Sequence, residues 1–364
     1  MFVPCPVRAT VEAQGARPVA RRRSSSVTVD IHCHVLSRHA EALAKPHFSI
    51  EKEPTLAFAN ELTRKINAAQ ITNVAAQMTD PARRIADMDA LGIDIQAISP
   101  TPTQYYYWLE PELGRDAARL INDNIATIVG AHPDRFVGIG TVPLQNTDFA
   151  VAELERCVGE LGIRGIEINS NVLGEELSSS RLERFLARAE ELDILLFLHP
   201  LGFSEGRRLC NHYFNNVIGN PLESAIAVGH LIFDGVLDRF SGLKICVAHG
   251  GGYLPTYIGR MDHAYQARAD CRTRINRLPS DYLKQVFVDT VMFDPDQLAF
   301  VVRRLGRDHV LLGSDYPFDM AETDPVGFVQ NAPGLSDADR EAILGRNAAR
   351  LLGLDRIRAE PAPP

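Results

Sequence analysis

Two histidines one residue apart, His32 and His34, close the β-branched apolar run VTVDIHCHVL at residues 27–36. Side chains alternate between the faces of a strand, so both imidazoles point the same way and lie close enough to share one ion. A hydrogen-bonded histidine pair at a strand end would look the same, so metal chemistry needs further donors. Other strand-like runs supply them: ILLFLHP (194–200) reaches His199, KICVAHGG (244–251) reaches His249, and VLLGSDYP (310–317) carries Asp315. Three imidazoles with a carboxylate suit Zn2+ and also accept Fe2+, Mn2+ or Co2+. Singly, His199 could end a strand before Pro200, His249 could sit in a glycine turn, and Asp315 could cap a helix. Five such residues at equivalent strand ends point to one site.

The elements that must position them repeat as strand then helix. Eight short apolar runs end in polar, Gly or Pro residues: 27–34, 93–100, 136–143, 163–169, 194–200, 244–251, 286–291 and 310–317. Between them lie segments such as PARRIADMDALG, RDAARLINDNIATIVGAH, DFAVAELERCVGELG, SRLERFLARAEELD and DADREAILGRNAARLLGL, with apolar residues at three- and four-residue spacing. Eight such units, with no GxGxxG or P-loop after any strand, predict an α/β fold of the (β/α)8 TIM-barrel type rather than an open doubly wound sheet. The barrel spans 27–355 and includes an insertion at 38–79 after the first strand, which forms a small subdomain or lid. A second long stretch, 201–221, follows the fifth strand. Both fall on the C-terminal rim, where such barrels assemble their active sites.

Composition narrows the function classes. A formal net charge of -8 opposes nucleic-acid binding, and the absence of an apolar run of 18 residues opposes a membrane span. Six dispersed cysteines without a CxxC motif read as reduced thiols of a cytoplasmic protein. Cys33, between the paired histidines, should face away from them as a packing residue. Residues 1–26 are rich in Arg, Ala and Ser and form a disordered or targeting-like extension, and 356–364 form a short tail.

Taken together, DIHCH, RIADMDALGIDIQAIS, LHPLG, GVLDRFSGLKICVAHGGGYLPTYIGR and LLGSDYPF make the chain resemble the amidohydrolase superfamily. Within it the similarity is to the branch of metal-dependent decarboxylases that contains 2-amino-3-carboxymuconate-6-semialdehyde decarboxylase. The resemblance implies one divalent ion, most simply Zn2+, held by His32, His34, His199 and Asp315. It implies that His249 is the base serving the ion's water rather than a ligand. It also implies a homodimer or higher homo-oligomer in which the arginine eleven residues after that histidine, Arg260, enters a neighbouring subunit's site. Guanidinium there would clamp a substrate carboxylate through paired hydrogen bonds.

The implied reaction is non-oxidative decarboxylation of an unsaturated or aromatic carboxylic acid, because loss of CO2 leaves an electron pair that needs a conjugated sink. The alternative on the same barrel is hydrolysis of a lactone or hydration of a conjugated acid. A non-catalytic metal- or ligand-binding barrel would be expected to lack one of the five rim residues, and none is missing. One departure stands out: the branch is expected to carry a second substrate arginine near Ala75, Ala76 and Gln77, where this chain has none. Arg64 or Lys65 could replace it or could simply be solvated. The run Tyr105-Tyr106-Tyr107-Trp108 either lines an apolar pocket or packs. Glu167 would be the extra donor of a two-metal site, His212 and His230 read as structural, and Asp30 either orients an imidazole or begins the strand.

Overall fold

The computed structural model describes residues 27–354, so the N-terminal extension and the 356–364 tail lie outside the described residues. Among the described residues eight parallel strands form the barrel in chain order. They are β1 (Val29–Val35), β2 (Ile95–Pro100), β3 (Phe136–Gly140), β4 (Gly165–Ile168), β5 (Leu195–Leu198), β6 (Lys244–Val247), β7 (Val286–Asp289) and β8 (Val310–Leu311). Main-chain bonds from the β8 region to β1 bring the ring round: Ile31 N–H donates to Leu312 O at 2.9 Å and His34 N–H to Tyr316 O at 2.8 Å.

Two apolar layers follow from the period-two pattern of the strands. Val29, Ile31, Ile95, Val137, Ile139, Leu195, Phe197 and Cys246 fill the inside of the barrel. Cys33, Val35, Ile98, Ile166, Leu196, Leu198, Ile245 and Val288 pack outward against the helices. β1 contributes odd-numbered residues to both layers, which strict alternation forbids. The pairing of β1 with β2 shifts register between Asp30 and Cys33, and this irregularity moves the strand from one face to the other.

The helices form where the spacing predicts. Pro81–Leu91 starts at Asp80, whose side chain accepts from Ala82 N–H, and stops at Gly92 with φ 74°. Pro111–Ala131 buries Ala117, Ile121 and Ile125 from one face. The last helix, Asn347–Leu352, places Ala348, Leu351 and Leu352 against the inner layer.

The insertion is helical, with Arg38–Ala44, Pro54–Ala57, Glu61–Asn73 and Ala75–Thr79. Its longest helix buries only Thr63, so it carries no apolar stripe for periodicity to reveal. It is tied down by polar contacts instead. Asn215 Nδ2 donates to Pro54 O at 2.7 Å, Asn60 N–H to Cys210 O at 2.9 Å, and Trp108 Nε1–H to Glu53 Oε1 at 3.2 Å.

Candidate functional site

His32 and His34 emerge from β1 with side chains fully buried, and their Nε2 atoms lie 3.1 Å apart. Asp315 Oδ1 stands 3.4 Å from the first Nε2 and 3.3 Å from the second. With His199 these side chains offer four ligand atoms that all lie within 4.8 Å of one another. Metal–ligand bonds of 2.0–2.1 Å at tetrahedral angles separate neighbouring donors by about 3.3 Å, so the cluster fits a divalent ion. Both ring nitrogens of His199 and Oδ1 of Asp315 are buried without a hydrogen-bond partner. Orphaned donors of this kind are costly in a plain core and are accounted for by a cation.

Three of the five rim residues lie past the strands on which alternation places them. His199 directly follows β5, His249 lies two residues beyond β6, and Asp315 lies four residues beyond β8. The backbone re-aims two of them by turning left-handed, with φ 57° at His249 and 63° at Asp315. Such conformations cost about 1–3 kcal/mol each and concentrate at functional sites. The glycines after His249 continue the turn, and at Gly252 (φ +60) a Cβ would meet Pro221 O at 2.3 Å.

Neighbouring groups fix the β1 imidazoles. His32 Nδ1 lies 2.6 Å from Asp289 Oδ2, and His34 Nδ1 lies 2.9 Å from Pro100 O, which leaves each Nε2 directed at the cluster. Asp30, buried beneath them, accepts from Ser314 Oγ at 2.6 Å, Ser314 N–H at 3.0 Å, His32 N–H at 3.1 Å and Gln96 Nε2 at 3.1 Å. Arg84 is buried behind β1 and donates to the His34 carbonyl, to Gln96 Oε1 at 2.9 Å and to Gln77 O at 3.1 Å. Tyr105 O–H donates to Glu167 Oε1 at 2.7 Å and to His199 O at 3.0 Å.

These contacts set the charges. Burial opposes a proton on His32, yet Asp315 and Asp289 outweigh it and push this imidazole up to about 10, so an ion taking Nε2 must displace that proton. Burial likewise opposes charge on Asp315, but His32 first, then His249 and His34, hold its carboxyl well below the usual range. His199 goes the other way: burial, then His249, His32 and His34, keep its imidazole neutral, with a lone pair free for an ion.

His249 stands outside the four-ligand cluster. Its Nε2 lies 3.7 Å from Asp315 Oδ2, and its ring centroid is 4.9 Å from that of His199. It shares with His199 and Asp315 a cavity of about 710 Å³ that the insertion roofs with Arg38, Leu56, Arg64 and Ile71. A recess of about 270 Å³ meets this cavity at His249 and Asp315 and runs out past Val217, Tyr253 and Phe293.

The remaining candidates separate cleanly. Arg64 lines the cavity, with Nε donating to Leu56 O at 2.9 Å, whereas Lys65 does not line it. Arg260 is exposed on the helix Leu254–Ala267, outside the cavity of its own chain. Tyr105, Tyr106 and Tyr107 are buried packing residues. Glu167 is buried with Oε2 3.7 Å from His34 Nδ1, behind the ligand cluster rather than in it. His230 pairs with Asp234 at 3.0 Å, and Cys33 faces the outer layer with Sγ 3.4 Å from Ala97 O. Sequence reasoning overlooks Asp289 and Arg84. The first is visible only as the acid ending VFVD, and the second only as one arginine of an amphipathic helix.

The chain is similar to known proteins over most of its length. The amidohydrolase family model matches residues 29–354. The chain is 34% identical over 336 residues to 2-amino-3-carboxymuconate-6-semialdehyde decarboxylase of Dictyostelium discoideum, covering 91% of this chain and 92% of that protein. It is 30% identical over 303 residues to gamma-resorcylate decarboxylase of Rhodococcus jostii, covering 75% of this chain and 87% of the relative. The crystal structure of 5-carboxyvanillate decarboxylase LigW from Sphingomonas paucimobilis superposes with a TM-score of 0.80 at 24% identity, over 90% of this chain and 99% of that one. A dihydroxybenzoic acid decarboxylase from Polaromonas, crystallised with manganese and 2-nitroresorcinol, superposes with a TM-score of 0.78 at 24% identity, over 91% and 98%.

Proposed function

Because this chain belongs to the amidohydrolase family, we propose that it is a metal-dependent, non-oxidative decarboxylase of an unsaturated or aromatic carboxylic acid. The observation that carries this is the four-ligand cluster with His249 beside it at the floor of a half-open, largely apolar-walled cavity. We assign Zn2+ as the ion on the donor set of three imidazoles and a carboxylate. Mn2+ is the competitor, since the Polaromonas decarboxylase holds it.

His32, His34, His199 and Asp315 would hold a divalent ion, which would supply positive charge to polarise an oxygen of the acid. The chain's own residues do the rest. The roof lines the acid's cavity with Leu56 and Ile71 beside Arg64. As the C–C bond breaks, CO2 leaves and the electron pair stays on the ring or alkene carbon, delocalised into its conjugated system. His249 then delivers the proton that this carbon takes up. Its placement on a left-handed loop, 3.7 Å from Asp315, supports that role.

Carboxylate recognition falls to arginine. Arg64 is in place on the roof and takes over from the arginine missing near Ala75–Gln77. Arg260 makes no ion pair among the described residues and sits one turn beyond Tyr257, which is 58% exposed. We read this face as a homodimer contact that sends Arg260 towards a second protomer through the recess beside Val217 and Phe293. The free cysteines among the described residues favour a reducing, cytoplasmic location. No described helix is long and apolar enough to cross a membrane.

The decisive experiment screens conjugated and aromatic acids for CO2 release, with metal analysis on the same preparation. We expect CO2 and the protonated product, with about one ion per chain. Water addition or lactone opening without CO2 would replace the decarboxylase with a hydratase or hydrolase.

A further inference from the structure

Asp289, at the end of β7, has no exposed surface and makes no contact with the ligand cluster except through His32. Its two oxygens receive four donors from three segments. Oδ2 faces His32 Nδ1 at 2.6 Å and accepts the main-chain N–H of His249 at 3.0 Å. Oδ1 accepts the N–H groups of Gly250 at 2.9 Å and Val291 at 3.1 Å. A metal ligand and the loop bearing the proton donor therefore hang on a single carboxylate. The loop gains from such an anchor, because His249 is held at φ 57° without being glycine and is followed by three glycines that lend the chain no stiffness.

We propose that Asp289 is a positioning residue that sets His32 and His249 relative to one another. It keeps the His32 proton on Nδ1, so that Nε2 is the ligating atom, and it clamps the peptide of His249 so that the imidazole stays over the cavity. This rests on the assignment of His32 as a ligand and His249 as the proton donor. It adds that the two functions fail together when one buried acid is altered.

The test is Asp289→Asn, which keeps the size but cannot accept all four donors. Zn2+ and Mn2+ affinities of the apo-protein are measured by calorimetric titration, and kcat and KM at saturating metal. We expect affinity to fall about 10–100-fold, the usual effect of removing a carboxylate behind a ligating histidine. We also expect kcat to fall at least about tenfold with KM within about threefold, since the cavity wall is untouched. In a His249→Ala background the metal defect should persist and the extra kcat defect should vanish.

If Asp289→Asn does not fold, the wild-type protein still decides. With 15N-labelled histidine and bound Zn2+, His32 and His34 must both carry their proton on Nδ1. A spectrum with fewer than two Nδ1-protonated histidines among those that respond to Zn2+ overturns the proposal. So does a variant with unchanged affinity and unchanged kcat. A chain that binds no divalent ion would instead remove the functional reading itself.

Discussion

The floor and the roof of the cavity are built on opposite plans. The floor, formed by β1 and the ends of β7 and β8, has Asp30, His32, His34, Asp289 and Ser314 all at 0% exposure, with His34 Nδ1 held by Pro100 O and the other four hydrogen-bonded to one another. The roof helix Glu61–Asn73 buries one residue, and its Leu62 and Ile66 are 65% and 51% exposed. Groups that must hold an ion tolerate only tenths of an ångström, so they sit where packing and hydrogen bonds leave no freedom. Groups that admit and select an acid must let it in, and low local stability serves that need. The contrast therefore assigns chemistry to the floor and selection to the roof.

The sharpest way to break this division is at the floor. His199→Ala should lose both the ion and turnover, by at least about a thousandfold, measured as metal content and kcat. His249→Ala should keep the ion and lose turnover by about 10²–10⁴-fold. Equal metal loss in both would erase the distinction between ligand and proton donor.

Smaller effects are expected among the arginines. Arg64→Ala and Arg260→Ala should each raise KM about 10–100-fold with metal content unchanged, the scale of a charge-assisted hydrogen bond. At substrate concentrations well below the raised KM, mixing Arg260→Ala and His249→Ala protomers should restore activity above that of either variant alone if Arg260 serves a neighbour. Lack of any restoration would confine it to the surface of its own chain.

The smallest effect belongs to the roof's attachment. Glu53 is buried, and burial pushes its carboxyl up to about 8 against the opposing Trp108 hydrogen bond. The folded protein thus keeps a proton that the unfolded chain releases near 4.5, and stability is lost as pH rises between these values. Glu53→Gln retains an acceptor for Trp108 without the titration. Its Tm should exceed the parent's by roughly 2–5 °C at pH 9 and match it at pH 4. An identical difference at both pH values would show that the carboxyl does not titrate there.

Much of the floor was legible in the sequence, because each strand is a short apolar run and the functional residues end or follow such runs. That punctuation picks out His32, His34, His199, His249 and Asp315, the family resemblance separates the four ligands from His249, and the eight strands lie where their runs predict. What lay beyond the strands was not legible. Left-handed φ at His249 and Asp315 carries no residue signature, since neither is glycine. The roof helices were missed because a helix that buries only Thr63 has no stripe, although the caps Ser37 and Asn60 were there to be read. Asp289 looked like any acid at a strand end, because what distinguishes it is four donors drawn from distant segments.

The register shift in β1 separates the strand into two halves with independent duties. Below it Val29 and Ile31 answer to the barrel's filling, and above it His34 faces the ion while Cys33 and Val35 face the helices. Substitutions in the lower half can therefore retune the scaffold without rotating the donors. Removing a single residue at the shift would turn the upper half over and offer the ion a thiol where an imidazole now stands, trading a borderline site for one that prefers softer cations.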